Sequence, residues 1–325
     1  MERADDQIHK NKRFFKKGRI QMSEILRLGR LELRVLDLEE SVKYYTNVIG
    51  LEVTGREENR VYLKAWDEYD HHSIILQKSD TAGMDHMAFK VKDIYELEKL
   101  EYKIEQFGCK LSRISKGTRL AEGEAVRFQL PTGHHMELYT EIEQVGTKTG
   151  NLNPDPWPDG LKGIAPHRLD HALLTGDDLK TATRFFTEVL GFRQTEKIVT
   201  VDGEDLVGSF MSVTNKGHDL AFVKGPDAKF HHAGFYVDNW YEVLKAADIL
   251  TKNNVQAEVT PTRHGITRGL TVYFFDPSGN RNEAYTSGYM SYADFPTITW
   301  TEDKIGTGIF YHRRELIESF SKALT

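Results

Sequence analysis

Two histidines and one glutamate in the second half of the chain have the residue types of a metal site. His171 lies in a strand-like run, LDHALL, His232 lies in a second run, HHAGFYV, and Glu283 follows an aromatic strand and a turn. Two imidazoles and one carboxylate on one face form the ligand set typical of non-haem Fe(II) oxygenases. Such a set leaves the opposite coordination positions open, and a substrate and O₂ both need them.

Strand alternation decides which of two adjacent histidines is the candidate ligand. Successive side chains of a strand point to opposite faces, so His232 shares a face with Gly234. His231 shares the other face with Ala233 and Phe235. This second face is more apolar and is expected to meet the helices. We therefore predict that His232 is the ligand and that His231 packs against the helix layer.

An internal repeat indicates which elements position these residues. Arg27–Val53 matches Arg168–Gln194 without a gap, and His86 and Glu137 precede their counterparts in the second half by 146 residues (232 − 86 and 283 − 137). The chain therefore holds four strand–helix–strands units, beginning near residues 27, 84, 168 and 231. One helix can cover only one face of each unit, so paired units should curl around a ligand cavity. The predicted fold class is α+β, with two domains, each a pair of βαβββ units curled into an open barrel.

The first half of the chain lacks one of the three candidate ligands. It retains His86 and Glu137, together with His72, but Arg30 stands at the position that corresponds to His171. A guanidinium does not coordinate a metal ion. We therefore predict no metal site in the first half and an ion pair between Arg30 and Glu137.

The two halves are joined by a linker and followed by an extension. Residues 141–166 contain four prolines and four glycines, a composition typical of a linker. Beyond Thr286, an extended run, TITWTEDK, precedes YHRRELIESFSKALT, whose apolar spacing predicts a helix used for packing or for an oligomer contact. The predicted segments are an N-terminal tail (1–22), a non-catalytic N-terminal domain (23–145), a linker (146–166), a metal-binding catalytic domain (167–290) and a C-terminal extension (291–325).

Composition argues against several kinds of partner. The 325 residues are 39% hydrophobic and 28% charged, which fits two globular domains, each with its own core. The net charge of −6 gives no basic surface, so we expect no nucleic-acid partner. No run approaches the roughly 20 apolar residues that span a bilayer, and we expect no membrane association. The single cysteine, Cys109, fits a reducing cytoplasm.

Three further side chains could transfer protons or donate hydrogen bonds near the metal. His218 ends the third unit in KGHDLAFV, His264 precedes Gly265 in a loop, and Tyr273 lies on a strand. Singly, such residues are more often packing or solvated groups. Together they supply the acids, bases and donors that oxygen chemistry needs, and each well-placed acid or base is typically worth roughly 10²–10⁴-fold in rate.

The motifs LDHALL, GHDLAF, HHAGF, TRHGIT and VYFFDPSGNRNE together resemble the type I extradiol dioxygenases of the vicinal oxygen chelate superfamily, in particular its catechol-cleaving members. The resemblance covers most of the chain after Met22. It implies the glyoxalase-like fold and Fe(II), or less favourably Mn(II), held by His171, His232 and Glu283. It also implies cleavage of catechol or substituted catechols by O₂ to a 2-hydroxymuconic semialdehyde, and a homotetramer.

The resemblance also implies roles for the three further residues. His218 corresponds to the histidine beside the O₂ site, and His264 and Tyr273 correspond to residues that hydrogen-bond the substrate oxygens. Arg268 departs from the family pattern, where we expect a smaller or neutral residue on the pocket side. No basic cluster that would select a carboxylated catechol is evident, so neutral catechols are favoured.

Two other functions use the same paired units. A glyoxalase-like metal-dependent isomerase usually takes a fourth ligand from the strand that closes the neighbouring unit. Here that strand is within GHDLAFV and has no counterpart of Glu283. A non-catalytic ligand-binding member needs a cavity but no metal ligands with flanking acids and bases. Both alternatives are therefore less favoured than extradiol cleavage.

Overall fold

The fold consists of four βαβββ units, two in each half of the chain. The computed structural model describes residues 24–325, so the predicted N-terminal tail, residues 1–22, lies outside the described residues. The strands of the first half are β1 (Ile25–Val35), β2 (Glu52–Arg56), β3 (Arg60–Lys64), β4 (Ile74–Lys78), β5 (Gly83–Val91), β6 (Leu111–Ile114), β7 (Ala125–Gln129) and β8 (His135–Tyr139). Its helices are α1 (Leu38–Tyr44) and α2 (Ile94–Phe107).

The second half repeats this order of elements and adds an extension. Its strands are β9 (Arg168–Gly176), β10 (Arg193–Val199), β11 (Leu206–Ser212), β12 (Leu220–Lys224), β13 (Lys229–Tyr236), β14 (Ala257–Arg263), β15 (Gly269–Phe275), β16 (Arg281–Ser287) and β17 (Ile298–Thr301). Its helices are α3 (Leu179–Arg184), α4 (Trp240–Lys252), a 3₁₀ turn (Glu302–Lys304), α5 (Ile305–Ile309) and α6 (Glu318–Lys322).

Each half forms one open sheet. The strand order is β2-β3-β4-β1-β5-β8-β7-β6 in the first sheet and β14-β15-β16-β13-β9-β12-β11-β10-β17 in the second. Within a unit the first and last strands pair in parallel, as β9 does with β12, and the two units of a half meet through an antiparallel pair, β9 with β13. The predicted fold class is confirmed.

An aspartate caps the start of the first helix in each half, and a glycine ends the helical segment in the first half. Asp37 and Asp178 cap the first helix of each half, and each side chain accepts a backbone hydrogen bond from three residues later. After α1 and α3 the aromatic pairs continue into one π-helical turn, Tyr45–Ile49 and Phe185–Val189, which the sequence pattern does not signal. Gly50 ends the first of these turns with φ of 93°, a conformation that favours glycine.

One hydrophobic core serves both halves, so the expectation of two separate cores is wrong. Helices and the strand faces beneath them, from both halves, belong to a single cluster of buried residues. Aromatic side chains join it across the halves: Phe107 packs on Phe185 at 5.1 Å and Phe89 packs on Phe192 at 5.2 Å between ring centroids. The periodicity of a single helix shows that it has an apolar face but not which partner covers that face.

The predicted segment boundaries stay predictions, supported by the positions of the strands. The first sheet's last strand ends at Tyr139 and the second sheet's first strand begins at Arg168, so the predicted linker lies between them. The extended run of the C-terminal extension forms β17, which pairs in parallel with β10. Within residues 24–325, no helix is both long enough and apolar enough to cross a bilayer.

The helix predicted over the last fifteen residues is wrong for most of its length. Only Glu318–Lys322 is helical there, and Arg314 has φ of 63°, which a right-handed helix does not contain. The apolar residues of this segment serve another purpose. Phe320 meets the edge of Phe310, the residue directly before this segment, at 4.9 Å between ring centroids, and it packs against Tyr273 at the same distance, so the segment covers Tyr273.

Candidate metal centre

A glycine allows the candidate ligands to meet across neighbouring strands. In the pairing of β9, β13, β16 and β15, His171 lies opposite Gly234, Gly234 opposite Glu283, and Glu283 opposite Tyr273. A Cβ at Gly234 would lie 2.3 Å from the His171 ring. Because Gly234 has no side chain, the imidazole of His171 can lie over it and reach Glu283 on the far side.

The structure brings His171, His232 and Glu283 into one buried cluster. His171 Nε2 is 2.8 Å from Glu283 Oε2, His232 Nε2 is 3.3 Å from the same oxygen, and the two Nε2 atoms are 3.4 Å apart. The three residues are at most 2% exposed. A β-bulge between Phe230 and His232 adjusts the direction of the His232 side chain.

The donor set fits a divalent cation. Two neutral imidazoles and one carboxylate are ligands that Fe(II), Mn(II) and similar ions accept. Burial raises the pKa of Glu283, but the neighbouring His171 outweighs it and lowers that pKa well below its ordinary value. Burial lowers the pKa of His171, and Glu283 reverses this and raises it to about 9. The buried carboxylate of Glu283 therefore needs a positive charge beside it. Its Oε1 has no hydrogen-bond partner within residues 24–325.

A carboxylate outside the cluster orients the imidazole of His171. His171 Nδ1 donates to Asp170 Oδ2 at 3.0 Å, which leaves Nε2 facing Glu283. Lys216 lies 3.3 Å from the other oxygen of Asp170. Sequence analysis missed Asp170, although its position directly before His171 was a signal that a carboxylate could orient the imidazole.

His231 does not pack against the helix layer as predicted. Its Nδ1 lies 2.7 Å from His232 Nδ1, and its Nε2 lies 2.7 Å from the carbonyl oxygen of Phe320. The β-bulge interrupts strict alternation at this point, so the two adjacent histidines contact each other. Ala233 and Phe235 do lie in the hydrophobic core, as alternation predicts.

The three further candidates surround the cluster. The His218 ring is 4.2 Å from the His171 ring, and burial, followed by His171, lowers the pKa of His218 well below its ordinary value. His264 Nε2 lies 3.0 Å from the Tyr273 hydroxyl, and His264 Nδ1 donates to the Ile309 carbonyl. Burial, followed by Glu283, raises the pKa of Tyr273 well above its ordinary value, so the phenol keeps its proton.

The cluster lies at the base of a small cavity of about 30 Å³. No lysine or arginine is among the described residues that line it. Apolar side chains form part of its wall: Leu173, Phe210, Ile266, Ile309 and Phe320. Two of these belong to the C-terminal extension, which sequence analysis assigned only to packing or to an oligomer contact. Their part in the cavity was not predictable from spacing within the extension alone.

The expectation that Arg268 lies on the pocket side is wrong. The side chain is exposed, and its guanidinium stacks over the ring of Tyr289 at 5.0 Å. The backbone at Arg268 has φ of 59°, and Thr267 before it has φ of 60°. This left-handed turn points the Arg268 side chain away from the cavity, which Ile266 and Thr267 line instead.

In the first half, a guanidinium lies at the position where the second half has a candidate ligand, His171. Arg30 is fully buried, with Nη2 at 2.6 Å from Glu137 and 2.9 Å from Glu122. Arg119 makes two further contacts of 2.5 Å with Glu137, and His72 contacts Glu122 at 3.0 Å. The predicted pairing of Arg30 with Glu137 is therefore present, within a larger network that the sequence did not indicate.

We expect Arg30→Ala to lower the free energy of unfolding by about 3–5 kcal/mol, because it leaves buried carboxylates without their central cation. Arg56→Ala is the matched control, since Arg56 pairs with Glu39 at 2.7 Å on the surface. Loss of such an exposed pair typically costs about 1 kcal/mol or less. Urea denaturation of the metal-free proteins measures both, and equal losses would contradict the structural role of Arg30.

Comparison with known protein families agrees with this fold. The family model "Catechol 2,3-dioxygenase-like N-terminal domain" matches residues 84–143, and the model "Glyoxalase/Bleomycin resistance protein/Dioxygenase superfamily" matches residues 168–284. The chain belongs to this superfamily and, within it, to the extradiol ring-cleaving dioxygenases.

Individual relatives narrow this class. The chain is 44% identical to metapyrocatechase of Pseudomonas sp. (strain CF600) over 305 residues, 93% of this chain and 99% of the relative. The crystal structure of the 2,3-dioxygenase LapB from Pseudomonas sp. KL28 matches with a TM-score of 0.84 and 45% identity, covering 87% of this chain and 99% of that one. A manganese-dependent 2,3-dihydroxybiphenyl 1,2-dioxygenase of Geobacillus genomosp. 3 is 31% identical over 90% of this chain and 96% of the relative. These relatives favour a dioxygenase over an isomerase or a non-catalytic binding protein.

Proposed function

We propose that the chain cleaves a neutral catechol by the extradiol route, with O₂, to a 2-hydroxymuconic semialdehyde at one Fe(II) held by His171, His232 and Glu283. The observation that carries this proposal is the buried cluster of these three side chains, whose ligand atoms all lie within 4.8 Å of one another. The family of the chain supports the reaction class.

Fe(II) is the metal we favour over Mn(II). The two ions accept the same nitrogen and oxygen ligands, and one relative is manganese-dependent by name. When bound, the ion supplies a Lewis-acidic and redox-active centre with open positions for a diol and O₂. In the first half Glu137 is already paired with Arg30 and Arg119. A second group there, Glu32, Asp85 and His86, also has ligand atoms within 4.8 Å of one another, but its carboxylates are paired with Arg60 and Arg127. We therefore expect one metal ion per chain.

The polar side chains around the metal ligands are proposed to orient the diol and to move protons. Because the Ile309 carbonyl can only accept, His264 carries its proton on Nδ1 and its Nε2 accepts from the Tyr273 hydroxyl. The Tyr273 oxygen is then left as an acceptor for a hydroxyl proton of the diol. His218, a buried neutral imidazole beside His171, can take up a proton at its free ring nitrogen.

The walls of the cavity support a neutral ring as the substrate. Phe210 and Phe320 offer apolar surface to an aromatic ring. Since about 30 Å³ holds little more than one water molecule, some of the wall side chains must move when the ring binds. Without a lysine or arginine among the described lining residues, a carboxylate on the ring would be buried unpaired, which costs several kcal/mol. Catechol and its alkyl or halogen derivatives are therefore favoured over carboxylated catechols.

We further propose a cytoplasmic homotetramer. The lone Cys109 is a buried free thiol, which suits a reducing compartment. Exposed apolar side chains in the linker, such as Leu152 and Trp157, at 87% and 68% exposure, offer surface for a subunit contact. Mass photometry of the purified protein measures the assembly, and a monomer would contradict the tetramer without affecting the proposed chemistry.

The test of the proposed function is anaerobic reloading of purified protein with Fe(II) or with Mn(II), followed by mixing with catechol in air. Rapid appearance of the yellow semialdehyde, one O₂ consumed per catechol and one iron per chain are the expected results. A catechol that carries a carboxylate side chain should react far more slowly. A colourless muconate, or no oxygen uptake by iron-loaded protein, would contradict extradiol cleavage.

A further inference from the structure

His231 links a proposed metal ligand to the C-terminal extension. On one side its Nδ1 lies 2.7 Å from Nδ1 of His232, and on the other its Nε2 lies 2.7 Å from the backbone carbonyl oxygen of Phe320. Its ring also packs against the Phe320 ring at 4.6 Å. His231 is 4% exposed, so water is largely excluded as an alternative partner.

The partners of His231 determine which ring nitrogen of His231 and of His232 carries a proton. A carbonyl oxygen can only accept, so His231 must donate from Nε2 to Phe320. A neutral imidazole has one donor nitrogen and one acceptor nitrogen, so Nδ1 of His231 must accept. Its partner, Nδ1 of His232, must therefore carry a proton. The lone pair of His232 is then on Nε2, the atom that faces His171 and Glu283.

The Phe320 carbonyl, at the outer end of these hydrogen bonds, is itself held in place. Arg281 donates from Nη2 to the Ser319 carbonyl at 3.1 Å and from Nη1 to the Ala323 carbonyl at 3.0 Å, on either side of Phe320. The same Nη1 donates to the His231 carbonyl at 3.2 Å, and Glu258 fixes the guanidinium with contacts of 2.6 and 2.8 Å. The extension and β13 are thus joined by one buried cation.

We propose that His231 is a positioning residue that, with the Phe320 carbonyl, holds His232 in the tautomer whose Nε2 can bind the metal. The inference rests on the proposed role of His232 as a ligand. His171 is held in the same way by Asp170, but through a carboxylate. A neutral acceptor behind His232 orients the second ligand without adding another negative charge to the site, and it makes metal binding depend on the C-terminal extension.

The test compares two replacements of His231 in the full-length protein. His231→Leu removes the acceptor, and we expect the affinity for Fe(II), measured anaerobically by competition with a chromogenic chelator, to fall about 10–100-fold. His231→Gln restores one acceptor and one donor, and is expected to recover most of the affinity. ¹⁵N NMR of the metal-free proteins should find the proton of His232 on Nδ1 in the wild type and the Gln variant, and on Nε2 in the Leu variant.

A matched control comes from the first half of the chain. Asp85 occupies the position equivalent to His231, 146 residues earlier, and its carboxylate lies 2.9 Å from Nδ1 of His86. Asp85→Asn should leave the Fe(II) affinity unchanged. Thermal melting of the metal-free variants reports the purely structural effect. Should the Leu variant not fold, His231→Phe, which keeps a ring against Phe320 but has no acceptor, takes its place in the comparison with the Gln variant.

The inference and the proposed function fail in different ways. Wild-type protein that binds no Fe(II) at this cluster would overturn the proposed function. Wild-type protein that binds one Fe(II), together with a folded Leu variant of equal affinity, would overturn only the role of His231. Failure of the Gln variant to surpass the Leu variant, or an unchanged His232 tautomer in the Leu variant, would do the same.

Discussion

His171→Ala should abolish both metal retention and ring cleavage. His171 Nε2 lies 2.8 Å from Glu283 and 3.4 Å from His232, so its loss removes one of three proposed ligands and the main partner of the buried carboxylate. Loss of residues that merely support ligands typically costs about 10–100-fold in metal affinity, and loss of a ligand should exceed that. Metal analysis after gel filtration and the rate of semialdehyde formation measure the two effects.

The first half supplies the control for this variant. His86 is a fully buried strand histidine at the position equivalent to His232, but it lies among Arg119, Glu137 and Asp85 instead of in the proposed metal site. His86→Ala is expected to lower stability and to retain one metal ion per chain. A His171→Ala protein that still bound stoichiometric iron would show that the ligand set is assigned wrongly.

His218→Ala should separate metal binding from turnover. The His218 ring packs against His171 at 4.2 Å and Phe210 at 5.4 Å, and no hydrogen bond links it to Glu283 among the described contacts. We therefore expect the variant to keep its iron and to lose about 10²–10⁴-fold in kcat, the usual contribution of a positioned acid or base. The measurement is kcat per bound iron, with catechol saturating and O₂ varied.

Two outcomes would contradict the expected role of His218 in proton transfer. Normal turnover per iron would remove this residue from the mechanism. Iron loss in parallel with activity would mean that His218 supports the ligands and not the reaction. His218→Asn, which keeps a polar group in the same cavity, tests whether the imidazole itself is needed.

The repeat made much of this structure predictable from sequence. An offset of 146 residues relates His86 to His232, and a gap-free match relates Arg27–Val53 to Arg168–Gln194, so the order of the units and the missing ligand at Arg30 follow from local comparison. The open sheets follow from one helix per unit. Short-range periodicity adds which face of each helix or strand is apolar.

The errors arose where partners are distant in sequence. Arg268 follows a left-handed turn that points its side chain outward, which a residue type at one position does not reveal. The terminal segment has helix-like apolar spacing, but Phe320 is used to cover Tyr273 and the cluster. His231 was assigned to the helix layer because strict alternation ignores the β-bulge beside His232. Each case depends on tertiary contacts that override local pattern.

The shared core has a consequence for how this protein could have diverged. Since Phe107 packs on Phe185 and Phe89 on Phe192, the two halves pack on each other within one chain as the subunits of a dimer would. The first half is always joined to the half that holds the candidate metal ligands, so it needs to preserve only its packing surface. The position that corresponds to His171 can therefore hold Arg30, which forms a charged network with Glu137 and Arg119 where the second half holds its candidate ligands. The second half could not make that exchange and keep the proposed metal site.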